Sequence, residues 1–343
     1  MKKNIIAALI ILLSLSLVSC SPSPASNETI SPDAFSQSAS PIPGDKPVAS
    51  VVNGVADDTA YKLSSFGFSD VDPIRLEGDR IICSVKLESE NALPYAVFLF
   101  VNGIPQSFQE NGAEQTSPFF NSDLIQTPSV YHNFSISPVI DTDDSDIYLQ
   151  NAVIANPKHH PSSQSLPGES LIMGLSQNIA STTMIKAENP PMNYKTMETG
   201  QSELLPIDAS MREILNIPED LNHAANRLLI RTGNGDGFVR SPFTTREDLQ
   251  NGLDVYAYGG SAGKYRISFF VNFEPQRDSS GNPLVFDMAL EQNMVAHLNL
   301  GADTIPWVND LQTDDVFFAI AAPSEAMSND VIFKSETTVL REK

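Results

Sequence analysis

Four stretches of this 343-residue chain carry side chains whose types and spacing could do chemistry. GGSAG at 259–263 matches G-x-S-x-G, the turn that turns a serine into a nucleophile when a strand leads into it and a helix leads out. Here the flanking segments, LDVYAY and YRISFFVN, both read as strands. Ser261 is therefore better explained as part of a hairpin, with Gly259, Gly260 and Gly263 tolerating positive φ. DTDDSD places Asp141, Asp143, Asp144 and Asp146 within six residues. Hard oxygen ligands at such spacing suit Ca²⁺, but the central glycine and distant glutamate of an EF-hand are missing. The competing reading is a solvated acidic loop. His159 and His160 in NPKHHP lack the further ligands that a closed zinc site needs, and read as a surface loop. Trp307, the only tryptophan, follows Pro306 in a loop and is the best single candidate for an exposed ligand contact, but packing under that loop is the favoured reading.

The elements that must position these residues are largely duplicated. YAVFLFVNGIPQ (95–106) and YRISFFVNFEPQ (265–276) share Tyr, Phe, Val, Asn, Pro and Gln at a constant offset of 170. Ungapped extension pairs Val85 with Val255 and Gly67-Phe68 with Gly237-Phe238. Further on, IANP (154–157) resembles IAAP (320–323), and STTMIKAE (181–188) resembles ETTVLREK (336–343), so the second copy is expected to close at the last residues. Two copies make a tandem of domains rather than a solenoid.

Each copy reads as short strands rich in β-branched and aromatic residues, closed by turn residues. In YHNFSISP, Tyr131, Asn133, Ser135 and Ser137 alternate against Phe134 and Ile136, the pattern of a sheet with one buried and one wet face. On that reading Phe100 and Phe270 belong to the core, while Tyr95 or Phe98 on the other face is partly exposed and could offer an aromatic platform. His132 and His297 fall at similar places in the two copies, one residue out of step, and carry no assigned role. The matched Asn-x-x-Pro-Gln reads as turn chemistry. The fold class expected is all-β: two tandem, duplicated β-sandwiches, with an immunoglobulin-like strand order the natural expectation. Residues 50–188 form copy 1 and 227–343 copy 2. Residues 189–226 form a connector with short helices, one over MREIL capped by Ser210 and Glu213, another from Pro218 through Leu228.

Residues 20–49 are rich in serine and proline and poor in large apolar residues, so they are expected to stay a disordered tether. The formal charge is −21, which disfavours nucleic acid and anionic lipid as broad partners. Of the two cysteines, Cys83 lies in the alternating run ICSVKL and reads as a buried structural thiol.

Residues 1–19 have a basic start at Lys2 and Lys3 and an apolar run of 14 residues from Ile5 to Val18. That run is short for a bilayer span of roughly 17 residues or more and has the length of a signal peptide. Leu17, Val18, Ser19 and Cys20 resemble the lipobox of bacterial lipoprotein precursors. The resemblance implies a diacylglyceryl group on the Cys20 thiol, cleavage just before it, and often acylation of the new amino group. Two or more acyl chains, at about 0.8 kcal/mol per buried methylene, hold a protein at a membrane. Cleavage removes two lysines and leaves a formal charge of −23. The expected protein is lipid-anchored on the extracytoplasmic face of the cell membrane, with palmitate-type chains as anchor and a non-catalytic binding, assembly or spacing role at the envelope. Its expected partners are the membrane and a cell-wall glycan or surface protein, and its only candidate cofactor is Ca²⁺. The alternative is an envelope hydrolase acting on glycan or peptide, with residues converging from loops.

Overall fold

The computed structural model describes residues 50–52, 55–57, 63–69, 72, 74–89, 95–114, 119–120, 130–141, 147–155, 179–185, 193–195, 202–215, 227–232, 243–259, 261–325, 332–335 and 338–341. Lys46–Lys343 form one compact unit. Among the described residues no helix is long and apolar enough to cross a membrane.

In copy 1 the main strands are β1 (Leu63–Phe68), β2 (Arg80–Ser89), β3 (Tyr95–Val101), β4 (Phe108–Glu110), β5 (Phe119–Phe120), β6 (Val130–Ile136), β7 (Ile147–Ala155) and β8 (Ile179–Ile185). One sheet runs β1-β2-β6-β4 and the other β5-β3-β7-β8. The A-B-E and C-F-G orders of an immunoglobulin-like sandwich are present, with A to C as β1 to β3 and E to G as β6 to β8, but β4 on the D edge precedes β5 on the C′ edge in the chain, the reverse of the immunoglobulin order. In copy 2 the counterparts are β10 (Arg227–Thr232), β11 (Leu253–Tyr258), β12 (Gly263–Val271), β13 (Val285–Leu290), β14 (Met294–Leu300), β15 (Val316–Pro323) and β16 (Thr338–Arg341). They repeat the order as β10-β11-β14 and β13-β12-β15-β16. The position that β4 fills in copy 1 is taken in copy 2 by β9 (Glu203–Pro206), which pairs with β14.

The connector is thus more than a link, because β9 is an edge strand of the second sandwich. The expected first helix exists as α1 (Ala209–Leu215), but its cap is Asp208, whose Oδ1 accepts from the Met211 amide at 2.8 Å, and not Ser210. Of the second expected helix, residues 218–226 lie outside the described residues, while Arg227 and Leu228 stand in a strand.

Each sandwich has its own core. Ile81, Cys83, Val85 and Leu87 of β2 face Tyr95, Val97, Leu99 and Val101 of β3 in the first. Leu253, Val255 and Ala257 face Tyr265, Ile267 and Phe269 in the second. The alternation read in YHNFSISP holds, with His132, Phe134 and Ile136 buried and Tyr131 and Asn133 exposed.

The expectation of a wet second face fails for the other sheets. β3 and β15 are buried at every position, and β12 from Tyr265 to Phe270. Their outer faces pack on each other. Ala96, Phe98, Phe100, Ala152 and Ile154 of copy 1 form one cluster with Phe270, Val316, Phe318, Ile320 and Ala322 of copy 2. Phe98 meets Phe270 edge-on at 5.1 Å between centroids, and Phe270 stacks on Phe318 at 5.2 Å. Within Lys46–Lys343 the two sandwiches are therefore joined back to back through equivalent sheets. Burying a phenylalanine is worth about 1.5–3 kcal/mol, so Phe98, Phe100, Phe270 and Phe318 together supply at most about 12 kcal/mol against separation.

Hydrogen-bond register corrects parts of the duplication. Tyr95 pairs with Ala155, and Tyr265 with Pro323, so Ala155 corresponds to Pro323 and the IANP/IAAP match is two residues out. An even slip keeps every side chain on its own face, which is why the strings still looked alike. Thr183 opposite Leu149 and Thr338 opposite Phe317 occupy matching places, as the second match requires. Phe68 lies opposite Val85 and Ile230 opposite Val255, so Ile230 is the counterpart of Phe68; Gly237 and Phe238 lie outside the described residues.

Candidate functional site

The matched Asn-x-x-Pro-Gln motif builds the same device twice. Asn102 and Gly103, like Asn272 and Phe273, both have positive φ, the signature of a type I′ turn. The Asn102 amide donates to Tyr148 O at 2.9 Å and its Oδ1 accepts from Tyr148 N at 2.7 Å. Asn272 holds Val316 in the same way, at 2.8 and 3.1 Å. Gln106 and Gln276 then close the turn by donating from their amides to Leu99 O and Phe269 O. The first motif ties the end of β3 to β7 and the second ties the end of β12 to β15.

In copy 1 this turn reaches the other sandwich, and there polar groups from both copies converge. Arg266, 5 % exposed, replaces the small Ala96 of copy 1 on the shared face. It donates to Asn102 O at 2.9 Å, to Asp141 Oδ2 at 3.3 Å and to Asp287 Oδ1 at 3.2 Å. Gln150 donates to Pro323 O at 3.0 Å and accepts from the Gly103 amide at 3.3 Å. A Cβ on Gly103 would lie 2.7 Å from Ala322 O, so only glycine allows this approach. The convergence is a buried fastening in which Arg266 and Gln150 both donate to backbone carbonyls of the other copy, not an open cleft. Its sequence signal was the arginine interrupting an apolar strand in YRISFFV.

This placement bears on the calcium candidate. Asp141 sits in a short strand, 6 % exposed, with its carboxylate against Arg266, and so is engaged by a cation of the chain itself. Asp143, Asp144 and Asp146 lie outside the described residues, as do His159, His160 and Cys20. Among the described residues, no group of three or more His, Cys, Asp or Glu is arranged to hold a metal ion.

Trp307 is not an exposed ligand contact. It sits in a short 3-10 helix (Pro306–Asp310), 6 % exposed, with its ring 5.6 Å from Phe269 and 6.1 Å from Phe317. The turn folds it into the second core, where its large apolar ring is buried among the side chains of both sheets. Tyr95 and Phe98 are likewise buried, at 2 % and 4 %, so neither offers a platform.

GGSAG is not a hairpin. β11 and β12 belong to different sheets, so the segment carries the chain across the sandwich, and Gly259 uses φ of 79° to do it. Its backbone is held from the motif, since Tyr265 OH donates to Ser261 O at 3.0 Å. A strand and not a helix follows Ser261.

The two histidines sit on opposite faces of equivalent sheets. His132 lies opposite Val85, but His297 lies opposite Tyr256, one place beyond Val255, and a one-residue shift reverses the face. His132 points inward, its Nε2 bonded to Tyr95 OH and its Nδ1 2.5 Å from Glu110 Oε1. Burial, with Glu110 as the second cause, pushes the Tyr95 hydroxyl well above the usual tyrosine range, so it stays protonated and serves as a donor. His297 points outward, with Glu203 Oε1 2.8 Å from Nδ1 and Asp254 Oδ1 2.8 Å from Nε2. Sequence reasoning missed this cluster because Glu203 lies 94 residues from His297.

No family model matches the sequence, and no curated protein does. Among solved structures, the chain is similar to part of a 1.5-MDa bacterial ice-binding adhesin, at 10% identity and a TM-score of 0.19, over 78% of this chain and 59% of that one. It is also similar to the C-terminal domain of the AgI/II polypeptide BspA of Streptococcus agalactiae, at 9% identity and a TM-score of 0.17, over 77% of this chain and 93% of that one. The chain spans less than two thirds of the adhesin structure.

Proposed function

We propose that this chain is a lipid-anchored protein of the bacterial envelope whose two sandwiches act as one rigid, non-catalytic block for binding, assembly or spacing. The observation that carries the rigid-block reading is the apolar layer between the sandwiches, sealed at its edge by Arg266, Gln150 and Gly103. Domains joined by a bare linker swing by default, whereas a large apolar interface holds one orientation. The anchor rests on residues 1–20, where a basic start, a short apolar run and Leu17-Val18-Ser19-Cys20 fall in the order of a lipoprotein precursor. The serine- and proline-rich residues 21–49 would carry the block away from the membrane, where its outer sheet faces and loops meet a wall glycan or surface protein.

The test is metabolic labelling with a palmitate analogue in a bacterial host. The wild type should take up label and stay with membranes, while Cys20→Ala should take up none and be released. Equal membrane retention of the two proteins would refute the anchor. The rigid block is tested separately by small-angle scattering of residues 46–343, which should fit one conformation; a spread of interdomain distances would refute it.

A further inference from the structure

We infer that Asn111 is a site of spontaneous covalent modification, converted to aspartate and isoaspartate at the edge of the first sandwich. Asparagine followed by glycine permits the reaction, because glycine has no Cβ to block the approach of its own nitrogen. The Gly112 nitrogen attacks Cγ of Asn111, an N–Cγ bond forms, and the Cγ–Nδ2 bond breaks. The carboxamide nitrogen leaves as ammonia, carrying off the proton that the Gly112 nitrogen gives up. Water then opens the succinimide ring at one of its two carbonyls, and nothing is oxidised or reduced in either step.

Asn-Gly occurs at 53, 102, 111, 234 and 251, of which the steps at 53 and 234 lie outside the described residues. The other three stand in very different surroundings. Asn102 is 1 % exposed, its Oδ1 accepts from Tyr148 N at 2.7 Å, and the Gly103 amide donates to Gln150 Oε1 at 3.3 Å. Asn251 donates from Nδ2 to Glu247 O at 2.7 Å, and the buried Gly252 donates from its amide to Leu249 O at 3.1 Å. In both steps the carboxamide is held and the glycine nitrogen is engaged. A backbone oxygen also lies 2.7 Å from the would-be Cβ of Gly103 and 2.6 Å from that of Gly252, which leaves neither peptide room to turn.

Asn111 and Gly112 are both exposed and form the two-residue turn between Phe108–Glu110 and Ala113–Glu114, with φ of 50° and 83°. Nothing lies within 4 Å of the would-be Cβ of Gly112, so the peptide between them has space to turn until the nitrogen faces Cγ. The Asn111 backbone amide donates to Asn133 O at 3.2 Å, but among the described residues no hydrogen bond holds its carboxamide or the Gly112 amide. Either product adds a negative charge to a chain already at −21. Isoaspartate also adds a methylene to the backbone of a turn whose type I′ geometry fits two residues. Glu110, the preceding residue, is bonded to the buried His132, so the change falls beside the contact that holds this edge hairpin to the core.

Peptide mapping by mass spectrometry, with fragmentation that separates aspartate from isoaspartate, tests this on the full chain kept at mildly alkaline pH. In the folded protein Asn111 should convert first, and Asn102 and Asn251 at least about tenfold more slowly, since each must wait for its hydrogen bonds to open. In the chain unfolded by urea the three steps should convert at similar rates, because the tertiary contacts that distinguish them are gone. Conversion of Asn102 or Asn251 in the folded protein as fast as that of Asn111 would overturn the proposal. An Asn111 that stays intact in the folded protein would do the same.

Discussion

Gly103→Ala separates the strain of a turn from the closeness of the two sandwiches. Gly103 has φ of 75°, and an added Cβ would meet Ala322 O at 2.7 Å and Pro323 O and Arg266 Cβ at 3.1 Å. Gly78 has φ of 62° with nothing within 4 Å of its would-be Cβ, so it bears the same backbone strain without the neighbours. The left-handed conformation costs an alanine about 1–2 kcal/mol at either place. At Gly103 the backbone carbonyl of β15 cannot swing aside like a flexible side chain, and crowding of this kind adds about 1–3 kcal/mol. Gly78→Ala should therefore cost about 1–2 kcal/mol and Gly103→Ala about 2–5 kcal/mol. Urea unfolding measures both, and at about 2 °C per kcal/mol thermal unfolding should separate them by several degrees. Equal losses would refute the tight approach at the interface. Phe273, which occupies the Gly103 position of the second motif at φ 69°, gives the reasoning a converse case: it is tolerated there because its ring packs on Phe318 at 5.2 Å.

Two further predictions concern buried groups. Removing the guanidinium in Arg266→Met breaks its buried ion pair with Asp141, 6 % exposed, and should destabilise the protein by about 3–5 kcal/mol; the double change with Asp141→Leu should recover much of that loss in urea unfolding. Burial, with a smaller contribution from Asp72, pushes the Cys83 thiol up to about 12, so it stays protonated and inert at neutral pH. A thiol reagent should label a Cys20→Ala protein at Cys83 only after denaturation, and fast labelling of the native protein would refute the packed first core.

Much of this molecule was legible as text. The duplication, the strands and the tight turns follow from local chemistry. Asn102 and Asn272 were readable as turn residues because asparagine tolerates positive φ, and both sit at φ 50°. Cys83 was readable as core because strand side chains alternate and its neighbours in ICSVKL set the phase. The helix over MREIL was found, though its cap was misplaced by two residues because Asp208 competes for the same role.

What failed was every question of which surface meets which. Adjacency suggested a hairpin at GGSAG, but a strand chooses its hydrogen-bond partners across the whole chain, and β12 pairs with β13 and β15 while β11 pairs elsewhere. The period of a strand shows that two faces differ and not what covers the second one. So Phe98 looked half-exposed, and the Arg266–Asp141 contact across 125 residues was invisible. Local preference and periodicity wrote the two sandwiches into the sequence. Their joining back to back, and the burial of the residues that looked available for binding, exist only once distant sheets compete to cover each other's apolar faces.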